Sequence, residues 1–268
     1  STAQGSTGNA DELYAYISGS FGRIEAGDQD GAANSLGWEV PNVGYGQVGG
    51  DYADFVGPTS VVEVANSGDD TKVTYYTPSL KGMTLGISYA PFDEEGNAIT
   101  TAQGEEEDQV ELGLSYSRAW NGVEIEIGAG YFSDNQESGS EDFGAWSSGI
   151  NVSMSDITFG LGYVDDGDGG AAAGSNSKSI AGGISYAMDE WSVAASYAQN
   201  EANAPTGQDS DVFGAGVNYE WMPLVKGNTP VAINIGADII AFSRDASTDA
   251  SVASSDGELL VISTSVEF

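Results

Sequence analysis

The sequence contains no cysteine and no histidine, and only 7 basic residues stand against 41 acidic ones. Without cysteine there are no disulfides and no thiolate nucleophiles. Without either residue, Cys/His zinc sites and Ser–His or Cys–His mechanisms are excluded. A formal net charge of −34 excludes nucleic acid as a partner, because affinity for phosphate backbones comes mainly from Lys and Arg. Long apolar runs are missing too: none approaches the roughly 20 residues of a transmembrane helix. Low hydropathy with high charge is the composition of a disordered chain. The 13 Tyr, 9 Phe and 5 Trp argue against disorder, since such chains are poor in aromatics.

The chain does contain period-2 alternation almost everywhere. "EDQVELGLSYSRAW" puts Val110, Leu112, Leu114 and Tyr116 on one face and Glu111, Gly113, Ser115 and Ser117 on the other. "GVEIEIGAGYF" sets Val123, Ile125, Ile127 and Tyr131 opposite Glu124, Glu126, Gly128 and Gly130. The same pattern runs through "ITFGLGYV", "SIAGGISYAM", "EWSVAASYA", "VFGAGVNYEW", "VAINIGADI" and the terminal "LLVISTSVEF". Short connections ("SLKG", "WNG", "SD", "MDE") alternate with long ones rich in Asp, Glu, Gly, Ser and Asn. Aromatics such as Tyr89, Trp120, Tyr163, Trp191 and Trp221 sit at strand ends.

An apolar face flanked by aromatic girdles, with short turns at one end and long loops at the other, is the pattern of a transmembrane β-barrel. In water that apolar face needs a second sheet to cover it; in an outer membrane, lipid covers it. The opposite face, rich in Gly, Ser, Asn and Glu, then lines a wet lumen. A soluble acidic β-sandwich gives the loop alternation and the polar second face no role.

Thirteen strands are expected, over about 12–21, 23–28, 71–78, 83–91, 108–119, 123–132, 142–155, 157–165, 178–188, 190–199, 211–222, 229–243 and 257–268. Single-chain bacterial barrels use even numbers of strands, and lipid does not tolerate open edges. With the last strand ending on the periplasmic side, alternation of direction puts residues 1–11 in an extracellular loop. The expectation is therefore a native chain longer at its N-terminus, with three further strands and sixteen in all, the size of a barrel with an aqueous channel. An intact mass of the native protein near 27.6 kDa contradicts it.

Three stretches resemble the general bacterial porins, especially those of alphaproteobacteria: "ELYAYISGSFGRIEAGDQDGA" (12–32), "TKVTYYTPSLKGMTLGISYAP" (71–91) and the terminal "VEF". The resemblance implies an all-β transmembrane antiparallel barrel in a single domain over 1–268, these strands being 4–16 of sixteen. It implies a pore-constricting loop over 29–70 folded into the lumen. It further implies a homotrimer in the outer membrane, in contact with lipid and lipopolysaccharide, and a terminal Phe268 that addresses the chain to the barrel-assembly machinery.

The long segment 31–69 carries Trp38, Tyr45, Tyr52, Phe55 and several Val, which suits a loop packed inside the barrel. "VGGDYADF" (48–55) is similar to the family's eyelet stretch, which implies pore-facing Asp51 and Asp54, with Glu39 a further candidate. Asp after Gly also caps turns, so these carboxylates have a bland reading too. By alternation Arg23, Glu25, Lys72, Glu111, Glu124 and Glu126 project inward as pore wall. With so few basic residues visible, a preference for cations is expected, for passive diffusion of ions and small hydrophilic solutes; a substrate-selective channel of the same build is the alternative. The acidic loop residues Asp93, Glu94, Glu105, Glu106, Asp165, Asp166 and Asp168 offer oxygen ligands for Ca²⁺. None of these loops matches an EF-hand, solvated loops explain them as well, and no other cofactor is expected. Barrel hydrolases generally need His, so an enzyme is not expected.

Overall fold

The structure, a computed structural model, describes residues 12–43, 48, 64, 66–92, 106–136, 143–167, 177–202, 209–226, 229–245 and 253–267. Thirteen strands appear in it: β1 (Leu13–Gly19), β2 (Gly22–Asp28), β3 (Thr71–Tyr76), β4 (Met83–Phe92), β5 (Glu106–Trp120), β6 (Val123–Gln136), β7 (Phe143–Met154), β8 (Ile157–Asp165), β9 (Ser177–Met188), β10 (Trp191–Ala202), β11 (Ser210–Lys226), β12 (Thr229–Arg244) and β13 (Ser255–Glu267). One helical turn, α1 (Ala32–Ser35), follows β2. All strands join a single antiparallel sheet in chain order, the up-and-down order of a β-barrel. Within the described residues, β1 and β13 each pair on one side only.

Two adjacent cross-strand rows show how the sequence sets the two faces. Ile87, Leu112, Tyr131 and Trp146 are register partners across β4–β7 and are 42–47 % exposed. The next row, Thr74, Ser88, Glu111, Phe132 and Ala145, is 0–2 % exposed. Apolar residues out and polar residues in is the reverse of a water-soluble sheet. It is the arrangement in which hydrocarbon solvates the outer face. Tilted aromatic pairs mark both borders of that face: Trp191–Tyr219 near the short turns, Trp146–Tyr163 toward the long loops. Among the described residues no helix is long and apolar enough to cross a membrane.

The short turns use residues that tolerate positive φ. Asn121 and Gly122, at 51° and 83°, close β5–β6 in the handedness that matches strand twist. Ser155 and Asp189 take the same region in β7–β8 and β9–β10. The strands run further toward the long loops than alternation indicates: β6 reaches Gln136 and β10 reaches Ala202, while at the opposite border β11 reaches Lys226, beside the short connection to β12, through a register shift between Trp221 and Leu224. At the β6 and β10 tips both faces are polar, so the period-2 signal fades while the backbone ladder continues; in β11 the register shift breaks the alternation.

Part of the polar inner face is covered by apolar packing. Trp38, Val40 and Val48 pack on Ala181, Ala198, Val212 and Ile240, with Phe242, Leu259 and Val261 at the margin. A second cluster joins Ala33 and Val64 to Phe132 and Ala145. The described residues between β2 and β3 lie on the inner wall and dry part of it.

Candidate functional site

Residues 29–43 leave β2 at Asp28 and cross the inner wall one strand after another. Its path is laid by small residues on the wall. Gly86, Gly113 and Gly130 are successive register partners on β4–β6, and Gly128, Gly149 and Gly162 on β6–β8. Any Cβ at Gly113 would overlap the carbonyl oxygen of Ala32. Any Cβ at Gly149 or Gly162 would overlap the Trp38 indole. Glycine is required at these positions for close approach. The indole lies flat in this groove, and its Nε1 donates to Asn151 Oδ1 at 2.9 Å. Asn151 Nδ2 donates in turn to the Glu39 carbonyl at 3.2 Å, so β7 fixes two consecutive loop residues.

The root of the segment is held by polar side chains on β3–β5. The Ala32 N–H donates to Ser88 Oγ at 2.8 Å, and the Ala33 N–H to Glu111 Oε2 at 2.8 Å. On the returning side, Glu111 Oε1 accepts from the Ser67 N–H at 2.9 Å and from the Ser67 hydroxyl. Lys72 Nζ donates to the Gln29 carbonyl and to that of Gly68.

The described residues expected to face the pore, Glu39 from the loop and the others from alternation, divide into three groups. Glu39, Glu124 and Glu126 are exposed on the lumen side. Glu39 and Glu126 line one cavity with Ser115, Ser117 and Asn151, and Glu124 accepts from the Ser117 hydroxyl at 3.2 Å. Lys72 and Glu111 also point inward, but they are 2 % and 1 % exposed, so the expectation that they form open pore wall is corrected. The root of the segment covers them. Arg23 and Glu25 form an ion pair, and the Arg23 guanidinium sits 4.2 Å from the Tyr16 ring centroid, a cation–π contact alternation did not anticipate. Asp51, Asp54 and Phe268 lie outside the described residues, as do Asp93, Glu94, Glu105, Asp168 and the side chain of Glu106.

Of the remaining loop acids, Asp165 is held by Lys178 at 3.6 Å and accepts from the Tyr163 hydroxyl and the Gly167 N–H. Asp166 donates its N–H to the Ser177 carbonyl at 2.9 Å. The carboxylates that converge come from distant places in the chain: ligand oxygens of Glu12, Asp30 and Asp69 lie within 4.8 Å of one another. A search for contiguous acids misses such a trio. Partial burial at the root of the segment, then the charges of Asp69 and Glu12, raise the Asp30 carboxyl above its ordinary value.

A barrel wall, an inner loop on a glycine groove and a polar lumen surface describe a channel. A family model for the Gram-negative porins matches residues 1–231. The chain belongs to the Gram-negative porin family. Its place is the bacterial outer membrane, and family and fold point to a channel there. Solved structures similar to this porin include Salmonella typhi OmpF in complex with daunomycin, at TM-score 0.63 and 16 % identity, covering 96 % of this chain and 78 % of that one. An anion-selective porin from Comamonas acidovorans aligns at TM-score 0.56 and 19 % identity, covering 94 % and 76 %. The trimer form of OmpT from Vibrio cholerae aligns at TM-score 0.54 and 12 % identity, covering 96 % and 80 %. At these identities the likeness is one of fold. No curated protein matches the chain.

Proposed function

We propose that this porin forms a water-filled channel for passive diffusion of ions and small hydrophilic solutes, that residues 29–70 narrow it, and that it prefers cations. The observation that carries the preference is how the inward charges are used. Arg23 is paired with Glu25, and Lys72 is buried against backbone carbonyls. Among the described residues expected to face the pore, Glu39, Glu124 and Glu126 are the exposed carboxylates. A narrow wet gap with low-dielectric walls focuses the field of a few such charges and raises the local concentration of counter-ions. Selectivity belongs to these side chains and not to the fold, since the anion-selective porin of Comamonas acidovorans has a similar fold.

The chemistry is transport only: solutes cross by diffusion, and the glutamates bias which ones enter. A homotrimer is part of the proposal, supported by the trimer form of the Vibrio cholerae relative. Liposome swelling tests the reading. Proteoliposomes should swell faster in a lysine salt than in a glutamate salt of equal osmolarity, and more slowly as neutral sugars grow. Faster entry of glutamate contradicts the cation preference; no swelling in any solute contradicts the channel.

A further inference from the structure

We propose that Glu111 is the positioning residue of the constriction loop: its one buried carboxylate binds the loop's entrance and exit together and so sets the width of the pore. The proposal rests on the reading that residues 29–70 narrow the channel. Its geometry is independent of that reading. Oε2 accepts the Ala33 N–H at the entrance, while Oε1 accepts both the N–H and the hydroxyl of Ser67 at the exit. Glu111 sits near the middle of β5, two strands from the end of the loop at β3, so it is part of the wall and not of the loop. Gly31 makes the reach possible, because a Cβ there would overlap the carboxylate.

The site is built as a clamp of two opposite charges. Where Glu111 gathers N–H donors, Lys72 gathers carbonyls, from Gln29 on the entrance side and from Ser67 and Gly68 on the exit side. Ser88 lies between them on β4, accepts the Ala32 N–H and shares a 2.8 Å hydrogen bond with Thr74. A buried charge is tolerated when hydrogen bonds satisfy it, and the same bonds become costly to lose. Glu111 presents almost no surface to the lumen, which separates its role from that of Glu39 and Glu126. It fixes where the loop is, and they supply the charge the solute meets.

Glu111→Gln is nearly isosteric and leaves one acceptor oxygen for two groups of donors. Single-channel recording of the full-length porin in planar bilayers, with polyethylene glycols of graded size added, reads the result. Glu111→Gln should raise the time spent off the main open level about tenfold, the scale of one lost charge-assisted hydrogen bond, and shift the polymer cut-off. The sign of the reversal potential should stay unchanged. Ser67→Ala, which keeps the charge and loses one donor, should show the same change in weaker form, and it serves if Glu111→Gln fails to assemble. A steady main level and an unchanged cut-off in either assembled variant overturn the proposal. A reversal potential that moves without any change in level or cut-off also overturns it, because Glu111 then acts as a pore charge. Deleting residues 44–63 separates the two readings. If that deletion raises conductance while Glu111→Gln does nothing, only the Glu111 proposal falls; if the deletion leaves conductance unchanged, the constriction reading falls.

Discussion

Trp38 shows most directly how single residues place the inner loop. Its indole is 6 % exposed, fills the gap over Gly149 and Gly162, and has its one polar atom satisfied by Asn151. Trp38→Ala should destabilise the folded porin by about 3–5 kcal/mol, the range for emptying a packed aromatic site. Urea titration of the protein in lipid vesicles measures this. Gly149→Val approaches the same contact from the wall. The added side chain pushes the indole toward the pore axis, and single-channel conductance should fall. Asp30 gives a pH prediction. Its carboxyl is raised in the folded state, first by partial burial and then by Asp69 and Glu12. Ionised Asp30 therefore opposes folding above its folded pKa, and the penalty is gone below its unfolded value. Asp30→Asn should raise the urea midpoint at neutral pH and lose that advantage as pH falls through the carboxylate range. Equal midpoints at neutral pH contradict this. At this scale the sequence was half legible. Alternation says that Lys72, Glu111 and Glu126 all point inward. It cannot say that the first two are covered, because the covering residues, Gln29, Ala33 and Ser67 among them, come from the loop's path and not from their own strands.

Strands were the most legible elements, because a face that must meet hydrocarbon keeps a strict period of two. Leu112 on β5 is 46 % exposed on that face, and Ser115 on the same strand points to the lumen side. Leu112→Arg should cost ~2–4 kcal/mol in vesicle folding titrations, and Ser115→Arg much less. Equal costs contradict the assignment of faces. Strand tips were less legible, since β6 and β10 continue where both faces are polar and β11 continues past a register shift. The turn α1 was not foreseen: four residues, Ala32–Ser35, are too few for a 3.6-residue period to register. Its position comes from tertiary contacts, with the Ala32 and Ala33 N–H groups bound by Ser88 and Glu111. The glycine groove was written in the sequence as recurring glycines in the inward series, yet its purpose needs the cross-strand register. Gly113, Gly130, Gly149 and Gly162 make a path only once neighbouring strands are aligned.

For the whole molecule, the decisive quantity is the sign of the charge that a solute meets. A net charge of −34 does not by itself say which charges a solute meets. The few charges on the lumen side count, and there Glu39 and Glu126 share a cavity while Arg23 is neutralised by Glu25. The most direct test is the reversal potential across a KCl gradient, for the native porin and for a Glu39→Gln, Glu126→Gln double variant, at low ionic strength where screening is weak. The account predicts a potential of cation-selective sign for the native channel and a clear shift toward zero in the variant. A native potential of anion-selective sign, or a cation-selective one that the double variant leaves untouched, would contradict it.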